Sequence, residues 1–208
     1  MKVESLIFDI DGTLWDSRAL VARGYNIQLK KEGLEHLFVS AETFKPLFGK
    51  LDREIADVVF SSIAPPERYA LMSRCMDAER DYMQADPCRI GYPDVKQTLT
   101  ELAERYRLFI VSNSLAGYPQ LCVEKLGLEG LFQGTLCHGD TGTGKGQTIR
   151  TLMERHGITS CAYIGDTQGD YEATVEAGVP FVWAAYGFGQ PQAYAAKVDR
   201  FSQLRSIF

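Results

Sequence analysis

Short runs of consecutive apolar residues recur along the chain and predict the buried strands of a parallel sheet. Three of these runs, at residues 6–8, 108–111 and 162–165, each lead directly into a polar residue. A fourth run lies at residues 179–183, and residues 130–137 are a candidate fifth strand. Hydrophobicity that continues from residue to residue, without alternation, is typical of parallel strands that are covered on both faces.

Between these runs, apolar residues repeat every three or four positions, which is the spacing of amphipathic helices. The predicted helices cover residues 94–106, 118–126, 146–156 and 169–177. Alternation of strands and helices is the pattern of βαβ units. We therefore predict an α/β fold with a doubly wound, Rossmann-like parallel sheet.

One segment, residues 17–88, breaks this alternation. It contains only helical patterns, at residues 18–32, 51–61 and 66–85. A segment of this length without a strand is too long for a loop of a compact domain. We predict an inserted all-helical cap subdomain at residues 17–88 and a core made of residues 1–16 and 89–208.

Composition and charge argue against some classes of partner. The net charge of −5 argues against a nucleic-acid partner, which requires clustered Lys and Arg. No apolar run approaches the roughly 18 residues of a membrane span, so we expect no membrane partner either. The five cysteines form no C-x-x-C pair, as expected for reduced thiols in the cytoplasm. We expect a monomer or a homodimer.

Polar residues follow three of the predicted strands. Asp9, Ser112 and Asp166 each stand at such a strand end. Because ligands of open α/β sheets bind beyond the carboxyl ends of the strands, these side chains are expected to converge. Asp11 lies two residues after Asp9, and Asp170 lies four residues after Asp166.

The charge of this cluster predicts what it binds. The four carboxylates oppose one ammonium group, that of Lys145, which leaves a charge of about −3. Two like charges 4 Å apart repel by about 4 kcal/mol at an effective dielectric constant of 20, so the cluster favours a cation. Carboxylate and water ligands favour Mg²⁺, which is commonly shared with a phosphate group. Such a site is suited to phosphoryl transfer.

Each of these residues also has a structural interpretation when it is taken alone. Asp9 at a strand end and Asp11 before Gly12 are common turn residues. Asp170 is also placed to cap the helix that begins near it, and the Ser112 hydroxyl is placed to bond a strand-end amide. The glycine-rich segment 139–146 is one residue short of a nucleotide-binding P-loop, because Gly146 replaces the Ser or Thr that binds Mg²⁺.

The residues at these positions resemble four motifs of the haloacid dehalogenase superfamily, and they occur in the same order. Residues 9–14 read Asp-Ile-Asp-Gly-Thr-Leu, and residues 165–170 read Gly-Asp-Thr-Gln-Gly-Asp. Between them come Ser112-Asn113 and Lys145. The resemblance spans residues 5–189, and the helical insertion is similar to that of phosphoglycolate phosphatases and β-phosphoglucomutases. Gly146 departs from the Pro of many relatives.

The resemblance implies roles for individual residues. Asp9 would be the nucleophile and form an aspartyl-phosphate, and Asp11 would protonate the leaving oxygen and later activate water. Dehalogenases and phosphonatases lack an acid at the position of Asp11, so its presence implies a phosphatase or a phosphomutase. Mg²⁺ would be held by Asp9, the backbone carbonyl of Asp11 and Asp166, with Asp170 supporting it directly or through water.

The remaining expected contacts involve the substrate. By the same resemblance, Ser112, Asn113 and Lys145 would bind the phosphoryl group. Lys50 or Arg53 in the helical cap would contact the rest of the substrate.

Together these observations predict a Mg²⁺-dependent phosphatase that acts on a small phosphorylated metabolite. A phosphomutase of the β-phosphoglucomutase type is the alternative, and it differs in a longer-lived phosphoenzyme. A third hypothesis is a non-catalytic module in which Asp9 accepts a regulatory phosphate, as in response-regulator receivers. Receivers are shorter than this chain and lack a helical insertion.

Overall fold

The structure, a computed structural model, describes residues 1–87 and 90–208. The chain divides into two compact units, Met1–Asp16 with Arg89–Phe208 and Ser17–Cys88. Positions 88 and 89, on either side of the predicted domain boundary, lie outside the described residues. The assignment of one unit to catalysis and the other to a cap stays a prediction.

Six strands form one parallel sheet in the described part of the first unit. The strands are β1 (Ser5–Phe8), β2 (Arg107–Ser112), β3 (Phe132–Cys137), β4 (Cys161–Gly165), β5 (Phe181–Ala184) and β6 (Ala196–Val198). Their order is β3-β2-β1-β4-β5-β6, and each neighbouring pair is parallel. The predicted α/β class is confirmed. β6 was not predicted, because three residues are too few to show a pattern.

Helices occupy much of the remaining chain. The α-helices are α1 (Arg18–Lys31), α2 (Ala41–Phe44), α3 (Asp52–Val59), α4 (Pro65–Ala85), α5 (Val95–Ala103), α6 (Tyr118–Leu126), α7 (His138–Thr141), α8 (Lys145–His156), α9 (Gln168–Ala177) and α10 (Leu204–Ile207). Two short 3₁₀ helices cover Glu35–Leu37 and Phe201–Gln203. The sequence predicts the longer helices to within a few residues. It misses α2, α7 and α10, which are only four residues long and show no periodicity.

The strands at the centre of the sheet are buried along their whole length. Every residue of β1 and β4 is buried, as unbroken apolar runs predict. Ile7, Phe109 and Tyr163 pack with Ile149 of α8 in one apolar cluster. Burying an apolar side chain of this size contributes about 1.5–3 kcal/mol. The buried strands therefore fix the position of the backbone from which the residues at their ends extend.

The second unit has an apolar core of its own. The ring of Tyr25 in α1 lies 4.9 Å from that of Phe44, at an interplanar angle of 76°. Its hydroxyl lies 3.5 Å from the sulfur of Met72 in α4. The described residues of this unit contain helices and no strand.

Two further features concern the whole of the described chain. Among those residues, no helix combines the length and the apolar composition that crossing a membrane requires. Cys75, Cys122, Cys137 and Cys161 are buried free thiols. Cys88 lies outside the described residues.

Candidate active site

The ends of β1 and β4 deliver two acidic residues to the same edge of the sheet. Phe8 pairs with Ile164 in parallel register, and the backbone N–H of Asp9 donates to the Ile164 carbonyl at 2.9 Å. Asp9 and Asp166 therefore leave the sheet side by side. Together with Asp170, each offers one carboxylate oxygen, and these three oxygens lie within 4.8 Å of one another.

Lys145, the first residue of α8, is the basic partner of this group. Its Nζ donates to Asp9 Oδ1 at 2.9 Å and to Asp170 Oδ1 at 2.6 Å. All three side chains are almost completely withdrawn from solvent. Burial lowers the pKa of Lys145, but the charges of Asp170 and Asp9 outweigh burial and raise it. The side chain is therefore held as an ammonium group.

Asp170 is saturated with hydrogen bonds. Its Oδ2 accepts from the backbone N–H of Asp166 at 3.1 Å and of Thr167 at 2.9 Å, and from the Thr167 hydroxyl at 2.7 Å. The Thr167 hydroxyl in turn accepts from the Asp170 N–H, which completes a capping box at the start of α9. Burial raises the pKa of Asp170, but Lys145 and Thr167 outweigh it and lower the pKa. The Asp170 carboxylate therefore has two roles: it takes part in the capping box of α9, and it accepts a hydrogen bond from Lys145.

Asp166 has the opposite environment, although it is equally buried. Its Oδ2 accepts from the backbone N–H of Phe188 at 2.6 Å, whereas its Oδ1 is buried and has no hydrogen-bond partner among the described residues. Burial, followed by the charges of Asp170 and Asp9, raises its pKa well above the ordinary value.

Two glycines make room for this carboxylate. A Cβ atom on Gly12, which has a φ of +82°, would lie 2.2 Å from Asp166 Oδ2. A Cβ atom on Gly187 would lie 2.4 Å from Asp166 Cβ. Both distances are far shorter than van der Waals contact, so any side chain at either position would displace the acid.

Lys145 contacts Asp9, but its single positive charge is smaller than the combined charge of Asp9, Asp166 and Asp170. Burial and the charge of Asp170 raise the pKa of Asp9 to about 7, even though Lys145 opposes the shift. One ammonium group therefore does not balance three buried carboxylates. An oxygen-bound divalent cation would balance them and would satisfy Asp166 Oδ1, so the donor set fits Mg²⁺.

The carboxylate of Asp11 is not one of the three whose oxygens lie within 4.8 Å of one another, but its charge contributes to the raised pKa of Asp9. Its Oδ1 accepts hydrogen bonds from Trp15 Nε1 and from the Tyr118 hydroxyl, both at 2.8 Å. Neither aromatic residue was predicted. The four-residue spacing from Asp11 to Trp15 is a signal that could have been used, but nothing in the sequence links Asp11 to Tyr118. The expected metal contact of Asp11, through its backbone carbonyl, stays a prediction.

The expected phosphate-binding residues stand at the same edge. Ser112 is the last residue of β2, the strand beside β1, and is 5% exposed. Asn113 follows it and is half-buried. Their contact with a phosphoryl group stays a prediction.

Lys50 and Arg53 belong to the second, helical unit, Ser17–Cys88. Lys50 is exposed and lies two residues before α3. The guanidinium of Arg53 lies 5.1 Å from the centre of the Tyr69 ring, within the same unit. Their contact with substrate stays a prediction.

Comparison with known proteins adds to this geometry. The model of a family described as haloacid dehalogenase-like hydrolase matches residues 6–184. Phosphoglycolate phosphatase of Aquifex aeolicus is 28% identical over 189 residues, which cover 88% of this chain and 85% of the relative. Phosphoglycolate phosphatase of Aliivibrio fischeri is 27% identical over 210 residues, which cover 91% and 88%.

Solved structures show the same fold. A haloacid dehalogenase-like hydrolase from Bacteroides fragilis superposes with a TM-score of 0.84 at 21% identity, over 98% of this chain and 100% of the other. A predicted phosphoglycolate phosphatase from Haemophilus somnus superposes with a TM-score of 0.83 at 23% identity, over 100% and 98%. At these identities the likeness supports the fold alone.

Proposed function

This chain belongs to the haloacid dehalogenase-like hydrolases and is a phosphatase of that family, and from this premise we propose how it works. It is a Mg²⁺-dependent phosphatase that hydrolyses a small phosphorylated metabolite through a phosphate ester on Asp9. The observation that carries the proposal is the buried Asp9 carboxylate, 2.9 Å from Lys145 Nζ and grouped with Asp166 and Asp170.

The cation would be held by Asp9, Asp166 and the backbone carbonyl of Asp11, next to Asp170. When bound, Mg²⁺ would offset the negative charge that the carboxylates and the phosphoryl group bring together. The buried Oδ1 of Asp166, which has no hydrogen-bond partner among the described residues, supports this assignment. Lys145, Ser112 and Asn113 would bind the phosphoryl oxygens.

The first step transfers the phosphoryl group to the enzyme. A carboxylate oxygen of Asp9 attacks phosphorus, and the bond from phosphorus to the ester oxygen breaks. Asp11 gives its proton to the departing oxygen, so the alcohol leaves in neutral form. Lys145 favours the ionised Asp9 that this attack requires, against the effect of burial.

The second step returns Asp9 to its starting form. Asp11, now a carboxylate, takes a proton from water as the water oxygen attacks phosphorus. The bond from phosphorus to the Asp9 oxygen breaks, and inorganic phosphate is released. Asp11 regains its proton and Asp9 regains its charge, so the cycle balances.

A panel of phosphorylated metabolites with Mg²⁺, assayed beside Asp9→Asn, tests the proposal. Phosphoglycolate comes first in the panel, because curated relatives carry the name phosphoglycolate phosphatase. We expect Asp9→Asn to remain folded and to lose at least about 10³-fold in rate, because no other group replaces a covalent nucleophile. Near-normal turnover by this variant would refute the mechanism.

The lifetime of the phosphoenzyme separates a phosphatase from a phosphomutase. We expect rapid quenching to trap a phosphoenzyme that decays with release of inorganic phosphate. A phosphoenzyme that survives and transfers its phosphate to a phosphorylated sugar would indicate the phosphomutase instead.

We assign the choice of substrate to the helical unit, residues 17–88. Lys50→Ala and Arg53→Ala would then raise KM for the preferred substrate and leave the rate with p-nitrophenyl phosphate unchanged.

A further inference from the structure

Two aromatic side chains hold the acid Asp11, and no step described above uses them. Trp15 Nε1 and the Tyr118 hydroxyl both donate to the same oxygen of Asp11, Oδ1, at 2.8 Å. The two rings meet edge to face, with centroids 5.6 Å apart at an angle of 78°.

The pair of donors decides where a proton can reside on Asp11. The indole N–H of Trp15 can only donate, so Oδ1 must act as an acceptor. An Oδ1 that accepts from both Trp15 and Tyr118 does not carry the acid proton. In the neutral form of Asp11 the proton therefore belongs to Oδ2.

Both donors are attached to well-anchored backbone. Trp15 is fully buried, its carbonyl accepts from the Gly12 N–H at 2.9 Å, and its backbone pairs with Gly91. Tyr118 is the first residue of α6 and is followed by the buried Pro119. A proline in the first turn of a helix restricts the backbone there. The two donors therefore limit the rotation of the Asp11 carboxyl group.

We propose that Trp15 and Tyr118 are positioning residues, which keep Oδ1 as an acceptor and reserve Oδ2 for proton transfer to the leaving oxygen. This inference rests on the proposed role of Asp11 as general acid. It predicts an effect that depends on the substrate. Alkyl phosphates release a strongly basic oxygen that needs the proton, whereas p-nitrophenyl phosphate releases a stabilised phenolate that does not.

The test compares Tyr118→Phe with the unaltered enzyme on one alkyl phosphate and on p-nitrophenyl phosphate. The substitution keeps the ring and its contact with Trp15 and removes the hydroxyl. We expect kcat/KM, which reports the steps up to departure of the leaving group, to fall about tenfold for the alkyl ester and less than about twofold for the aryl ester. Equal loss for both esters, or no loss, would overturn the proposal.

A second variant and a matched control make the result specific. Trp15→Phe removes the other donor and should show the same selectivity between esters, so a folding defect in one variant does not leave the question open. Tyr106→Phe removes a tyrosine hydroxyl that donates to the Phe208 carbonyl at 2.7 Å. It should leave the ratio of the two kcat/KM values unchanged.

Asp11→Asn separates this inference from the proposed function. If Asp11→Asn loses alkyl esters selectively but Tyr118→Phe does not, only the inference fails. If Asp11→Asn shows no selectivity, the role of Asp11 fails and the inference fails with it. The proposal also predicts that adding Tyr118→Phe to Asp11→Asn causes no further loss of kcat/KM for the alkyl ester, because both changes act on the same proton transfer.

Discussion

The two sides of the acidic cluster contrast sharply, although Asp166 and Asp170 are only four residues apart in the sequence. On one side, Asp170 accepts from Lys145, Thr167 and the Asp166 N–H, and its pKa is lowered. On the other, Asp166 has a buried oxygen with no partner in the described chain, and its pKa is raised. The first carboxylate is fixed by its hydrogen bonds. The proposed function assigns the second carboxylate to the cation.

The contrast has an energetic meaning. A buried charge that lacks compensation destabilises the folded state, whereas one with several donors is tolerated. Stability that is given up at such a position is the usual cost of a functional site. The two sides should therefore respond in opposite ways to the same chemical change.

The largest effect is expected from Asp166→Asn. The amide oxygen can still accept from the Phe188 N–H, but the charge for the cation is gone. We expect Mg²⁺ to bind at least about 100-fold more weakly, and activity to fall with it. Calorimetric titration with MgCl₂ measures the affinity. Asp199→Asn, at an exposed ion pair with Lys197, is the control and should bind Mg²⁺ as the unaltered chain does.

Asp170→Asn should instead affect stability most. Removal of this charge leaves the buried Lys145 with Asp9 as its one carboxylate partner among the described residues, and we expect a loss of about 3 kcal/mol in the free energy of unfolding without Mg²⁺. Asp166→Asn should be neutral or stabilising under the same conditions, because it removes a charge that is poorly compensated. Urea denaturation of both variants measures the change in the free energy of unfolding that each substitution causes. If Asp170→Asn and Asp166→Asn are equally destabilising, the proposed difference between the two carboxylates is wrong.

Stabilisation by Mg²⁺ should depend on pH. The pKa of Asp9 is raised to about 7 in the folded chain, above its ordinary value of 3.8. Protonation of Asp9 therefore stabilises the folded state; this contribution is complete below about pH 3.8 and is lost as the pH rises to about 7. Since Mg²⁺ competes with the proton, we expect MgCl₂ to raise Tm more at about pH 8 than at about pH 6. An increase in Tm that is the same at both would contradict this linkage.

The smallest effect is expected from Thr167→Ala. The change removes the hydroxyl that accepts from the Asp170 N–H and donates to its Oδ2. Loss of such a cap costs about 1 kcal/mol. Thr167→Ser retains the hydroxyl and serves as the matched control. In thermal unfolding, the Tm of Thr167→Ala should be lower than the Tm of Thr167→Ser and of the unaltered chain.

Much of the fold could be predicted because its signals are local. Unbroken apolar runs identify buried strands such as β1 and β4, and the rule for strand ends explains why Asp9 and Asp166 are neighbours. Lys145 joins them as the first residue of α8, a position that the sequence places only approximately.

Other features depend on contacts that leave no trace in a single sequence. The Tyr118 hydroxyl is 107 positions away from Asp11, and no periodicity connects them. The difference between Asp166 and Asp170 is equally hidden, because both are aspartates after the same strand. Only the directions of the surrounding N–H groups separate their environments.

Gly12 and Gly187 have a practical consequence for sorting sequences of unknown activity. Both positions are chemically inert, yet alanine at either would occupy space that the Asp166 carboxylate fills. A related protein that keeps all the acids but replaces these glycines would have to turn that carboxylate aside. A search for active enzymes among related sequences should therefore require glycine at these two positions as well as the acidic residues.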